Sequence, residues 1–276
     1  MTKPAPRLLA ALLSAALLPL VSFAAPPMEE IFEGAPSGFF SGFSAAPVLP
    51  EAPAAGPKAA SPVSDVHTLG AGYYLTPAQV DLAGFPPAPA AGSETDQADM
   101  KALFDWQRKR TAAQCAEARE ETEHSYKTFF GRISPFPEPP PESVKKFFHR
   151  VGTNSTVLQR SVKDVYKRER PFLRDPGLRP CALKAAGYAY PSGHAMMARV
   201  FARILGDLVP ERKAEFMARA DEAALNRVVA GVHHLSDVEA GKILGDMFYS
   251  QLLKHPVFAA DLEAVRSYIT RAKERQ

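Results

Sequence analysis

From about residue 100 onward, apolar residues recur at spacings of three and four, the repeat of an amphipathic helix. Leu103, Phe104 and Gln107 lead to Thr111, an N-cap residue for a helix expected to run towards Phe129 and to end at Gly131. A proline-rich loop follows over 135–141. Val157, Leu158, Val162, Val165 and Tyr166 then mark a second helix, expected to stop near Pro171 because proline disfavours helical backbone in the residue before it. The stretch 195–208 is the most apolar, with Met197, Phe201, Ile204 and Leu208 facing a core, and Pro210 terminates it. Further helices are expected over 211–229, 238–253 and 259–272. No segment alternates apolar and polar residues as a half-buried strand does. The pattern predicts an all-α, single-domain helical bundle around one core.

The first hundred residues differ. Residues 1–24 carry two cations, an apolar centre and small residues at Ser22 and Ala24, the layout of a signal peptide with cleavage after Ala24. Its apolar centre is short and interrupted by Pro19, which argues against a permanent anchor. Residues 25–66 are rich in Pro, Ala, Gly and Ser without a period and read as a flexible leader; Phe39, Phe40 and Phe43 are its one aromatic cluster. The folded domain is expected over 67–276.

Lys and Arg number 33 against 30 Asp and Glu, and loss of Lys3 and Arg7 with the signal peptide leaves 31 against 30. A near-neutral chain without a long basic run has no footprint for nucleic acid. Nothing after the first segment approaches the roughly 20 apolar residues that span a bilayer, so no membrane association is expected once the signal peptide is removed. Cys115 and Cys181 are the only cysteines. In an exported protein they form a disulfide or remain two buried thiols.

Three clusters carry candidate chemistry. In the first, Lys163 and Arg170 stand two helical turns apart, which would place both cations on one helix face; the alternative for this cluster is a solvated basic face, since Lys167 and Arg168 lie between them. In the second, Pro191-Ser192-Gly193-His194 opens the apolar helix. Ser192 is its cap, Gly193 permits close approach of a ligand, and the helix N-terminus attracts anions. In the third, Arg227 closes one helix and Gly231 breaks the chain. Ser236 with Glu239 has the form of a capping box for the next helix. His233 then lies in a loop, with Asp237 placed to fix its tautomer. His234 is adjacent and competes for the same role.

Taken together, Lys163-x6-Arg170-Pro171, Pro191-Ser192-Gly193-His194 and Arg227-x5-His233-x3-Asp237 resemble the three-part signature of the acid phosphatase and vanadium haloperoxidase superfamily. The fit is closest to the bacterial class A non-specific acid phosphatases, and it extends from Tyr73 to the C-terminus. The sequence departs at Asn226, where the family has a serine or similar small residue, and at Ala195. The resemblance implies an exported, metal-independent phosphoric monoester hydrolase, periplasmic or secreted, that needs no cofactor and acts on small phosphate monoesters. A homo-oligomer is also implied. Lys163, Arg170, Ser192, Gly193 and Arg227 would bind phosphate, His233 would attack phosphorus and Asp237 would orient it, and His194 would protonate the leaving alcohol. A vanadate-dependent haloperoxidase, a lipid phosphatase and a non-catalytic exported phosphate-binding protein are the alternatives; the lipid enzyme is disfavoured by the absence of a multi-span pattern.

Overall fold

The computed structural model describes residues 73–274. The expected signal peptide, the leader with its phenylalanine cluster and the first residues of the expected domain lie outside the described residues. Nine α-helices are formed within them: α1 (Glu94–Lys109), α2 (Ala112–Glu120), α3 (Tyr126–Phe130), α4 (Glu142–Tyr166), α5 (Pro171–Arg174), α6 (Gly193–Leu208), α7 (Lys213–Val229), α8 (Leu235–Leu252) and α9 (Pro256–Lys273). No strand occurs among the described residues, and the all-α expectation holds.

Apart from a narrow charged stripe of Arg199, Arg203 and Asp207, α6 is apolar and must be covered on most of its surface, and it occupies the centre. Met196, Val200, Ile204 and Leu205 are each fully buried, and α6 packs chiefly against α7 and α8. The contact with α8 depends on two glycines. A Cβ on Gly241 would sit 2.4 Å from the Ser192 carbonyl oxygen, and one on Gly245 would sit 2.9 Å from that of Met196. Backbone therefore rests on backbone at this crossing. It brings the start of α6 against the first turns of α8, so the second and third sequence clusters meet.

On the opposite side α4 buries Val144, Phe147, Phe148, Val151, Leu158 and Val162. Phe148 stacks on Tyr126 with ring centroids 4.1 Å apart and meets Phe201 of α6 edge-on at 5.3 Å. Aromatic pairs of this kind add to plain area burial.

Two expected helices are shorter than their patterns suggest. The helix starting at Thr111 does start there, with Gln114 closing a capping box. It ends at Glu120, however, and α3 begins afresh after Ser125, whose hydroxyl accepts from the Thr128 amide. The break lets Glu121 turn inward, where its carboxylate is needed by three cationic and amide partners. Likewise α4 stops at Tyr166, four residues before the helix was expected to end, because Lys167 takes a left-handed conformation with φ 49°. Arg168 then enters the interior.

Of the two alternatives for the cysteines, the disulfide is formed, Cys115 to Cys181. It ties α2 to the 175–192 connection, which forms one wall of the site described below. Closing a loop of 66 residues restricts the unfolded chain by about 4 kcal/mol on the chain-entropy estimate. Reduction should lower unfolding free energy by about that amount, read as a shift of the denaturation midpoint with and without reductant. An unmoved midpoint contradicts it.

Candidate active site

Lys163, at the end of α4, reaches the carbonyl oxygens of Tyr188 and Ala189 at 2.6 and 3.1 Å. Burial first, then the neighbouring Arg170, lowers its pKa to about 7. Arg170 is not on the same helix, contrary to the expectation from spacing: it is the N-cap of α5. Both cations still face one cavity, because the chain leaves helical geometry at Lys167, which is left-handed, and is extended at Arg170. This path is held by the Ala189 amide, which donates to the Arg168 carbonyl at 2.7 Å.

That cavity, of about 450 Å³, is lined by Lys163, Arg170, Gly193, His194, Arg227 and His233, with His124, Gln159 and Arg160 around them. Six of the residues singled out from sequence thus converge although they span 71 positions. Gly193 opens α6 as anticipated, and the first amides of a helix lack intrahelical acceptors. Ser192 is different. It is wholly buried, its hydroxyl accepts from the Ala195 amide at 3.4 Å, and it lies off the cavity wall. Its hydroxyl thus plays the capping role expected from the sequence.

His233 sits in the loop between α7 and α8. Its Nε2 receives a hydrogen bond from Arg170 Nη1 at 2.7 Å, so that nitrogen carries a lone pair towards the cavity. Its Nδ1 lies 3.4 Å from Asp237 Oδ2. Burial, then the charge of Arg170, depresses its pKa and keeps the ring neutral.

His234 does not compete. It is fully buried, donates from Nδ1 to Asp237 at 2.8 Å, and accepts from Arg174 at 3.1 Å on its other nitrogen. It is also the N-cap of α8, and Asp237 accepts from its amide at 2.8 Å. The capping role assigned to Ser236 and Glu239 therefore belongs to His234 and Asp237. Ser236 is turned to Asp99 of α1, to which it donates.

Asp237 is held by a residue that the alternative reading of the first cluster placed on a solvated face. Arg168 is buried and donates at 2.8 Å to each of Asp96, Asp99 and Asp237, and at 2.7 Å to Ser236. Burial opposes the charge of Asp237, but the bonds from His233 and His234 and the charge of Arg168 keep its pKa well below the carboxylate range. No local pattern marks Arg168, because its three carboxylate partners come from α1 and α8.

His194 meets the cavity, yet both ring nitrogens have protein partners. Nε2 donates to the Glu121 carbonyl at 2.8 Å, and Nδ1 faces Nε2 of His124 at 2.6 Å. Because a carbonyl only accepts, the Nε2 proton is fixed and Nδ1 is the nitrogen available for chemistry. Burial, then His124 and Arg227, lowers the His194 pKa well below the ordinary imidazole value.

Arg227 donates to the Ala118 carbonyl at 2.6 Å and to Glu121 at 3.3 Å. Asn226 donates to the same carboxylate at 3.0 Å, and Arg219 also bonds to it. The departure at Asn226 thus supplies a hydrogen bond that steadies the counter-ion of Arg227. Glu121 and His124 both come from the α2–α3 break, where an unbroken helix was expected, and so were missed.

Residues 151–253 match the family model described as the PAP2 superfamily. The non-specific acid phosphatase of Providencia stuartii is 29% identical over 228 residues, 77% of this chain and 91% of that protein. The non-specific acid phosphatase of Salmonella typhimurium is 28% identical over 192 residues, 66% of this chain and 76% of that protein. A bacterial vanadium-dependent iodoperoxidase of known structure superposes with a TM-score of 0.46 at 15% identity, over 60% of this chain and 50% of that one.

Proposed function

We propose that this protein, whose residues 151–253 match the PAP2 superfamily model, is an acid phosphatase that hydrolyses small phosphate monoesters through a phosphohistidine. The carrying observation is the shared cavity of Lys163, Arg170, Arg227, His194 and His233, in which three cations surround a neutral imidazole lone pair. Phosphoryl transfer requires positioning and charge stabilisation more than covalent assistance. The three cations and the Gly193 amide supply that stabilisation, so the proposed steps use neither a metal nor a cofactor.

A bound phosphate oxygen takes over the Arg170 N–H and frees Nε2 of His233 to attack phosphorus. Asp237 accepts the developing positive charge through Nδ1. On the opposite side of phosphorus the negative charge of the bound phosphate favours a protonated His194, so that Nδ1 takes up a proton as His124 turns away from it and passes that proton to the leaving oxygen. Water then attacks the phosphohistidine, with His194 now the base.

Export to the periplasm or the medium fits both the signal-like residues 1–24 and the Cys115–Cys181 bond, since disulfides persist in oxidising compartments.

The direct test is release of 4-nitrophenol from its phosphate ester, combined with a rapid alkaline denaturing quench to recover an alkali-stable phosphoprotein that is then lost on acid treatment. No turnover, or turnover with no such adduct under single-turnover conditions, overturns the mechanism.

Charge on Lys163 sets a pH limit. Below pH 7 its ammonium is charged and the clamp complete; above about 7 it loses its proton and one charge. KM for a monoester that is already dianionic should therefore rise as pH climbs past neutrality. Lys163→Met should raise KM at acid pH and flatten this limb; steady-state kinetics between pH 5 and 9 read both, and an equally steep limb in the variant contradicts the assignment.

A further inference from the structure

A second cavity of about 580 Å³ opens beside the first, and the two share His124 and Arg160 as lining residues. Its character is different. Tyr126, Val144, Phe148, Val157, Met197 and Phe201 line it together with Glu123, Lys127, Glu138 and Lys145, so it is a groove between α3, α4 and α6 with a large apolar share, whereas the first cavity is ringed by cations.

Two observations connect this groove to the reaction. The first is direction. Attacking and leaving groups lie roughly in line across phosphorus. With His233 as nucleophile, the leaving oxygen points to His194, whose available nitrogen faces His124 at 2.6 Å. His124 is the residue where phosphate cavity and groove meet, so an alcohol departing on that side extends into the groove.

The second is Gly152, which lines the groove from within α4. Glycine in a helix interior costs about 1 kcal/mol relative to alanine. Packing does not require it here: an added Cβ would meet Phe201 at 3.6 Å and Met197 at 3.7 Å, ordinary contact distances. What its absence provides is clear width over the Phe201 and Met197 side chains.

We infer that the groove holding Gly152 is a leaving-group subsite, selecting phosphate monoesters of aromatic or bulky apolar alcohols over those of small polar ones. The inference rests on the phosphatase reading for its orientation. The groove volume lies within the range of ordinary ligand pockets and accommodates a bicyclic aromatic body, while Arg160 and His124 at the junction face the phosphate end. Occupation of the groove removes apolar surface from water and favours the larger ligand.

The test uses two non-hydrolysable phosphonates, methylphosphonate and naphthylmethylphosphonate, titrated calorimetrically into the full chain. Wild type should bind the naphthyl compound at least about tenfold more tightly. Gly152→Leu, which fills the groove, should abolish that preference and leave methylphosphonate affinity unchanged, while Gly152→Ala should keep it. Thr156→Phe, at another position on the groove wall, is a second block should Gly152→Leu not fold. Equal affinities in wild type overturn the subsite, as does a preference that survives in a folded blocked variant. The parent reading fails separately: a naphthyl preference that Gly152→Leu removes, with no hydrolysis of any monoester, leaves the groove standing and overturns the phosphatase. Hydrolysis of naphthyl phosphate and glycerol phosphate with equal kcat/KM, alongside equal phosphonate affinities, overturns the groove alone.

Discussion

His233→Ala should lower kcat/KM for a phosphate monoester by about a thousand-fold or more, since removal of a nucleophile leaves only binding and electrostatic stabilisation. The fold should survive the change. Asp237, the carboxylate that His233 would abandon, keeps its 2.8 Å bonds from Arg168 and His234, so no buried charge loses its last partner. Activity and melting temperature should therefore separate: the first collapses and the second moves little. His234→Ala should do the reverse in part, because it removes a buried bond to Asp237 and the acceptor of Arg174 without touching the cavity. Steady-state kinetics paired with thermal melts decide it, and a His233→Ala enzyme within tenfold of wild type would end the case for covalent catalysis.

Arg168→Leu should destabilise the protein by about 3–5 kcal/mol, the range for stripping one partner from a buried ion pair. Asp96 retains Arg174 at 2.6 and 2.7 Å, but Asp99 keeps only Ser236, and Asp237 keeps only its histidines and a backbone amide. The cost is thus uncompensated negative charge more than a lost attraction. Two consequences are measurable by denaturant unfolding. Asp99→Leu added to Arg168→Leu should recover part of the loss, a coupling visible in a double-mutant cycle. The loss should also shrink as pH falls, because protonation removes the stranded charge. In wild type Asp96 and Asp237 have folded pKa values held below the unfolded ones by their cationic partners and hydrogen bonds; their contribution is present above about pH 4 and disappears as pH drops through the folded values. A variant as stable as wild type at pH 7 contradicts this account.

These residues also mark what the sequence makes legible. Helix period identified the bundle, and short-range chemistry identified Gly193 as the opening of α6 and Thr111 as a cap, since such signals act within four residues. The spacing of the three clusters identified six cavity residues, although the argument that Lys163 and Arg170 share a helix face was wrong. They converge because the chain leaves helical geometry at Lys167, where φ is 49°. Nothing local distinguishes Arg168, buried at 8% exposure, from the solvated Lys167 beside it; its partners lie 69 and 72 positions away. Glu121 and His124 were hidden for a related reason. A continuous helical pattern gives no sign that burial of a carboxylate beneath Arg227 and Arg219 will break it.

The meeting of α6 with α8 at Gly241 and Gly245 has a consequence for how such a molecule can change. Main chain close against main chain holds the Ser192–Gly193 turn to the helix that follows the loop bearing His233, so that half behaves as a fixed die. On the proposed reading, the facing half, built from α3 and α4, would meet a substrate chiefly through side chains. Variation in what is accepted can accumulate there, one residue at a time, while the machinery that breaks the ester bond stays untouched.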